Sequence, residues 1–434
     1  MESVIKSIPS AMSLTVPIAL LFVGIYLGSV VKFFHFRHPV KTLKRSFAGA
    51  GKNGQVKALI MSLGGTLGVG NIAGVSLALI YGGEGSVFWM WISACVVMVI
   101  KYSEVLLAQK YRKKCKGGYE GGAMYYIRDG AGYPTLAALF GLLSISASVF
   151  IGSLIQANAV SESLGITFGM NPFILGIVLS IIVFILSIGG IDRVSFIMSV
   201  IVPFMSVLYI IMSVSVIFGN IDVLPGVFAR IIKGAFNVRA AASGGGYGML
   251  MAIKNGIARG MFSNEAGVGT SPMAHATAKS DFPARQGVMG IIEVFCDTIL
   301  LCTLTALSIL CVFDKIPRGV LAMQLVICAY ENIFGSCAGV LISISVFFFA
   351  FATILLWSYY GQVCIGYFSD SHTLRIWFLV VYAISVGVGT VISERGAWIF
   401  CDAVTGVMTF INLFCLVKLA PVIRDESRRF GLLR

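Results

Sequence analysis

The chain has 434 residues, of which 58% are hydrophobic and 12% charged, with a formal net charge of +13 and a mean hydropathy of +0.93. Soluble domains carry about 25% charged residues, so this composition excludes a soluble globular fold and implies a polytopic membrane protein. The positive excess gathers in a few loops between apolar runs, which points to membrane topology rather than to a nucleic-acid partner.

In chain order, eleven apolar spans are expected at about 11–32, 57–80, 84–109, 138–165, 172–188, 194–219, 245–276, 286–313, 335–365, 374–392 and 396–418. Each is long enough to cross a bilayer as a helix, or nearly so. None alternates like a barrel strand, so the class is all-α. The first run reads as a retained span rather than a cleaved signal. Ten cysteines fall mostly in apolar stretches without CxxC spacing and read as buried free thiols. The four histidines have no partner at metal-ligand spacing.

The second span contains Ser62-Leu-Gly-Gly-Thr-Leu-Gly-Val-Gly-Asn71. Each glycine inside a helix costs about 1 kcal/mol relative to alanine, so unwinding is expected over Gly64–Gly70. The seventh span contains Asn264-Glu-Ala-Gly-Val-Gly-Thr-Ser-Pro272, a second interruption with the same Gly-Val-Gly core. Setting the first span aside leaves two groups of five, each opening on a broken helix. Five is odd, so the groups enter the membrane from opposite sides. Paired glycine-interrupted spans in inverted halves point to the binding site of a secondary transporter.

The expected organisation is an extra N-terminal helix (1–35), a basic loop (36–56), two five-helix repeats (57–220 and 221–418) and a basic tail (419–434). With the N-terminus outside and the C-terminus in the cytoplasm, 22 lysines and arginines fall inside and seven outside, as the positive-inside rule requires.

Unwound backbone at the bilayer midplane frees N–H groups that suit a carboxylate and carbonyls that suit a cation or an ammonium, so one site can take a zwitterion and a sodium ion. Asn71 adds an amide at that level. Gln156 lies in the fourth span and either binds substrate or bridges helices. Thr353 and Trp357, at i and i+4, share a helix face. The threonine is either a sodium ligand or back-bonded to its own helix, and the tryptophan either a pocket wall or packing. Glu104, Glu265, Glu293, Asp297 and Asp402 are ionisable groups at or near membrane depth and hence functional candidates. Lys101 and Glu104, three apart, are expected to pair with each other. A channel would need a ring-lined filter, and no repeated filter sequence is present. No nucleotide, HExxH or Ser/His/Asp pattern supports an enzyme.

Several stretches carry a family resemblance: Gly64-Gly-Thr-Leu-Gly-Val-Gly-Asn-Ile-Ala-Gly74, Val87-Phe-Trp-Met-Trp91, Lys101-Tyr-Ser-Glu104, Gly121-Gly-Ala-Met-Tyr-Tyr126, Arg259-Gly-Met-Phe-Ser-Asn-Glu-Ala-Gly267 and Phe351-Ala-Thr-Ile-Leu-Leu-Trp-Ser-Tyr-Tyr-Gly361. The chain resembles the alanine/glycine:cation symporters of bacteria and archaea from about residue 14 to 425. The resemblance implies a leucine-transporter-like fold of five plus five inverted helices with discontinuous first and sixth core helices. It also implies sodium- or proton-coupled uptake of small neutral amino acids across the prokaryotic plasma membrane, with lipid around it and no organic cofactor. A relative preferring glutamine or another amino acid is the alternative. By position, the substrate would meet Gly65, Thr66, Gly68, Val69, Gly70 and Asn71, with Gln156, Phe262, Ser263, Asn264 and Trp357. Sodium would meet the carbonyls near Gly64 and Leu67, the Ala350 carbonyl and the Thr353 hydroxyl. Two departures stand out: Glu84, where the family usually has proline, and Leu356, where a smaller residue is common.

Overall fold

The computed structural model describes residues 2–47, 52–115, 118–237, 248–317, 319–392 and 394–433. Lys116, Arg239, Arg318 and Arg434, all used in the orientation count, and the 245–247 start of the seventh expected span lie outside these residues.

The described chain is helical throughout, apart from one two-stranded hairpin, Lys113–Cys115 with Gly118–Glu120, in a loop. Among the described residues, seven helices are long and apolar enough to cross a membrane: Gly85–Lys110, Pro134–Phe168, Gly190–Gly219, Pro283–Val312, Cys337–Phe368, His372–Gly389 and Cys401–Lys418. The bent pair Gly54–Thr66 and Val69–Gly82 is an eighth candidate, and Thr15–Val30 and Pro172–Ser187 are shorter apolar helices. Their outward faces carry rows of exposed Phe, Ile, Leu and Val, as on Pro172–Ser187 and Gly190–Gly219, which is the surface a lipid solvent selects.

Helices at matching positions of the two expected five-helix groups pack as pairs. The first broken helix meets Met249–Asn264, Gly85–Lys110 meets Pro283–Val294, Gln156–Phe168 meets Cys337–Phe368, and Pro172–Ser187 meets His372–Gly389. Helices also form outside the expected spans, among them Leu224–Ala235 and Ala322–Phe334. These two lie in connections rather than in the long apolar runs on which the sequence reading rests. The first of them closes over the start of Gly85–Lys110, where Arg230 pairs with Glu84 at 3.1 Å. That ion pair gives the departure at Glu84 a partner.

The seventh expected span, 245–276, is interrupted where its sequence suggested. It is a helix over Met249–Asn264, an irregular stretch, and a short helix Pro272–Ala276. Glu265, Gly267 and Gly269 all take positive φ (53°, 88° and 83°), and a right-handed helix cannot run through such residues.

Close approach to the centre is bought by small residues. An added Cβ on Gly152 would lie 2.6 Å from Cγ and 2.9 Å from Cδ2 of Trp357. Gly152→Val is therefore expected to cost about 1–3 kcal/mol by overpacking. A thermal melt of the purified protein checks this, and an unchanged midpoint would show that the wall at Trp357 yields.

Candidate functional site

The first broken helix runs to Thr66, opens at Leu67–Gly68, makes one tight turn over Val69–Asn71 and resumes at Ala73. The two halves meet at 63°. The break is shorter than expected, because Gly64 and Gly65 remain helical. Their missing side chains serve packing instead: added Cβ atoms would press on Met198 and Val202 from Gly64, and on Leu356 and Tyr360 from Gly65. Leu356 thus packs on the first broken helix.

The consequence for the backbone is specific. In a continuous helix the N–H groups of Gly68 and Val69 would bond to the carbonyls of Gly64 and Gly65. Here Gly68 N donates to Thr66 O at 2.8 Å, and Val69 N donates to Gln156 Oε1 at 3.2 Å. The two released carbonyls converge on Thr353, whose Oγ1 lies 3.3 Å from Gly64 O and 3.4 Å from Gly65 O. The same hydroxyl also reaches Phe349 O at 3.1 Å, so the back-bond within its own helix is present beside the interhelical contacts. Leu67 opens the break, and Ala350 is buried on the Thr353 helix three residues earlier.

At the second break, Asn264 is turned into the structure. Its Nδ2 donates to Thr298 Oγ1 at 2.9 Å and its Oδ1 accepts from Ala266 N at 3.0 Å. Asn71 Nδ2 and Ser263 Oγ both donate to Asp297 Oδ1, at 2.8 and 2.9 Å. Asn71 Oδ1 is fully buried and has no hydrogen-bond partner among the described residues. Gly70 approaches so closely that an added Cβ would lie 3.1 Å from Ser263 Cα and 3.3 Å from the Phe262 ring. The two breaks therefore touch.

A narrow cleft leads toward this point. Lys254, Asn255, Arg259 and Asp402 line its outer part, with Arg259 and Asp402 3.4 Å apart. Phe262, Glu265, Ile151 and Trp357 also line it. Of the expected substrate residues, Phe262 and Trp357 line the cleft, whereas Gly65, Thr66, Gly68, Val69, Gly70, Asn71, Gln156, Ser263 and Asn264 lie beyond its lining. A model of the sodium:alanine symporter family matches residues 1–431. The chain belongs to that family. It is 33% identical over 433 residues to the sodium/alanine symporter AgcS of Methanococcus maripaludis, covering 96% of this chain and 94% of that one. It is also 33% identical over 421 residues to the Bacillus subtilis protein named "Probable sodium/glutamine symporter GlnT", covering 95% and 87%. Among solved structures, a sodium-coupled sialic acid symporter in a substrate-bound outward-open state aligns with TM-score 0.58 at 15% identity, covering 95% of this chain and 86% of that chain. The likeness is one of fold.

In this family member, two residues seen in the sequence only as ionisable groups stand at the centre. Asp297 collects Asn71, Ser263 and Thr298 (2.7 Å) within a wide π-helical turn, Phe295–Cys302. Glu265 joins Trp357 to Thr270. Depth in the membrane marked them, but nothing local in the sequence tells which distant donors they meet.

The expected Lys101–Glu104 pair is a correction. Lys101 Nζ lies 2.5 Å from Ser271 Oγ and 3.6 Å from Glu293 Oε1. Glu104 instead accepts from Asn412 at 2.5 Å. Lys101 and Glu104 sit on one helix, but each meets a group far along the chain: Lys101 donates to Ser271, and Glu104 accepts from Asn412. Glu293 is further held by His275 Nε2 at 2.8 Å and Ser62 Oγ at 2.7 Å. Every member of this cluster is fully buried. Removing one partner of a buried ion pair costs about 3–5 kcal/mol, because the other charge is left uncompensated. Lys101→Ala is expected to lose that much, and Lys101→Ala with Glu293→Ala less than the sum of the two single changes. A double-mutant cycle of thermal stabilities checks this, and strict additivity would refute the coupling.

Proposed function

We propose that the protein is a sodium-coupled symporter that carries small neutral amino acids, alanine and glycine among them, into the cell by alternating access. The observation that carries this reading is the pair of Gly64 and Gly65 carbonyls, released from the first helix and directed at Thr353. Three hard oxygens from two elements meet there, and the carbonyls of Leu67 and Ala350 are proposed to complete a sodium site. The substrate is proposed to lie at the junction of the breaks, against the backbone of Gly65 to Asn71 with Gln156, Phe262, Ser263, Asn264 and Trp357. Backbone freed at membrane depth is tolerated where it lines such a cavity. AgcS supports alanine as the substrate class. GlnT, equally similar, favours a second reading in which the same pocket admits glutamine.

The proposed architecture is one extra helix and two inverted five-helix repeats, eleven spans in all, over the domain bounds expected above. Four matched helix pairs support it. The positive-inside count supports an outside N-terminus and a cytoplasmic C-terminus in the plasma membrane. In that orientation the cleft opens outward. The cytoplasmic side is sealed where Gln109 Nε2 and Arg112 Nη1 bond to the carbonyls of His275, Ala276 and Ala278 behind the second break. Alternating access then requires these bonds to open as the cleft closes.

The test is uptake of labelled L-alanine into liposomes, with and without an inward sodium gradient, with glycine, D-alanine and glutamine as competitors. Sodium-driven accumulation blocked by small amino acids is expected. Thr353→Ala is expected to raise the sodium concentration for half-maximal uptake about tenfold, or about 1.4 kcal/mol. Uptake indifferent to sodium would overturn the ion assignment. Competition by glutamine without alanine uptake would move the substrate to the second reading.

A further inference from the structure

We propose that the Glu265 carboxylate receives the substrate's α-ammonium group from the cleft, which makes it the residue that selects amino acids over carboxylates lacking an amine. This rests on the amino-acid transport reading.

Glu265 stands where the second helix stops, in a left-handed conformation (φ 53°, ψ 16°). A non-glycine residue there costs about 1–2 kcal/mol, and glycine, which follows at Gly267 and Gly269, would relieve it. A strained backbone points to a side chain held for its chemistry. The side chain is 5% exposed and lines the cleft beside Phe262 and Trp357. Trp357 Nε1 donates to Oε1 at 3.0 Å and Thr270 Oγ1 to Oε2 at 2.6 Å. An ionised carboxylate offers about four acceptor sites, so these two neutral donors fix its direction and leave capacity for a third and a fourth.

The cations nearby are engaged or distant. Lys101 Nζ bonds to Ser271 and pairs with Glu293. Arg259, in the outer cleft, pairs with Asp402. Lys254 lies eleven residues earlier on the helix, about 16 Å along its axis. Among the described residues no cation lies within 4.0 Å of Glu265, and Lys101 acts on it only at longer range. A buried carboxylate without a cation is costly, and an ammonium entering the cleft brings three charged donors. Trp357, bonded to the same carboxylate, would stand beside the substrate's Cα and limit its side chain.

The experiment is equilibrium binding of tritiated L-alanine to the purified protein, with propionate, which is alanine without its amine, as competitor. Glu265→Gln keeps the shape and removes the charge. Losing a charge-assisted hydrogen bond should weaken alanine by about tenfold or more while leaving competition by propionate unchanged. Alanine affinity within about twofold of wild type overturns the inference, as does equal weakening of alanine and propionate, the signature of a merely structural role. If Glu265→Gln does not survive purification, Glu265→Asp decides. The retracted carboxylate should weaken alanine severalfold, and unchanged affinity overturns the inference. Wild-type protein that binds no amino acid overturns the proposed function and this inference together, whereas binding that survives Glu265→Gln overturns the inference alone.

Discussion

In hydrocarbon every backbone N–H and C=O must find a partner inside the protein, at a cost of several kcal/mol for each that does not. Two helices here give up their own pairing at membrane depth, and the rest of the core is arranged around the groups they release. Val69 N is taken by Gln156 and the Asn71 carbonyl by Thr305. The Gly267 carbonyl is taken by Asn412, and those of His275 and Ala276 by Gln109 and Arg112. Ala266 N is capped by Asn264. Buried polar side chains from distant parts of the chain answer these groups. The breaks are therefore built features, supported from five other helices.

The same low dielectric sets the charge problem. Glu104, Glu265, Glu293 and Asp297 are buried, and among the described residues the one buried ammonium is that of Lys101, which pairs with Glu293. Asp297 is held by neutral donors, and so is Glu265. Such a core attracts cations more than it needs them for folding, because hydroxyls and amides already fix the geometry. On the proposed function, a sodium ion and a substrate ammonium are the cations that enter it, and the two freed carbonyls at Thr353 give the ion a place where no formal charge is required.

The glycine interruptions were legible because glycine and asparagine are costly inside a membrane helix, so their clustering needs a reason. Gln156, Thr353 and Trp357 were legible as polar or large residues in uniformly apolar runs. What the runs conceal is rotation. With apolar residues all round, no stripe tells which face turns inward, so the partners of Lys101, Glu104 and Asn71 could not be read. The local spacing of Lys101 and Glu104 suggested a pair, and tertiary donors overrode it. Gly64 and Gly65 were read as part of the break because sequence does not separate a glycine that frees backbone from one that admits a neighbouring helix. Glu265 was visible only as a charge, since its left-handed conformation depends on the chain leaving a helix there.

The helix Cys337–Phe368 joins these features. Thr353 faces the first break and Trp357, one turn later on the same face, bonds to Glu265 at the second. A rise of 1.5 Å per residue separates them by about 6 Å, so both contacts lie about one turn apart on one element. A shift of this helix toward the first break necessarily moves its grip on the second. Linkage between two ligands requires that both favour the same arrangement of the protein. A single helix that touches both breaks supplies that shared arrangement without a relay through the lipid-facing helices, and it explains why a threonine and a tryptophan at i and i+4 sit between two interrupted helices.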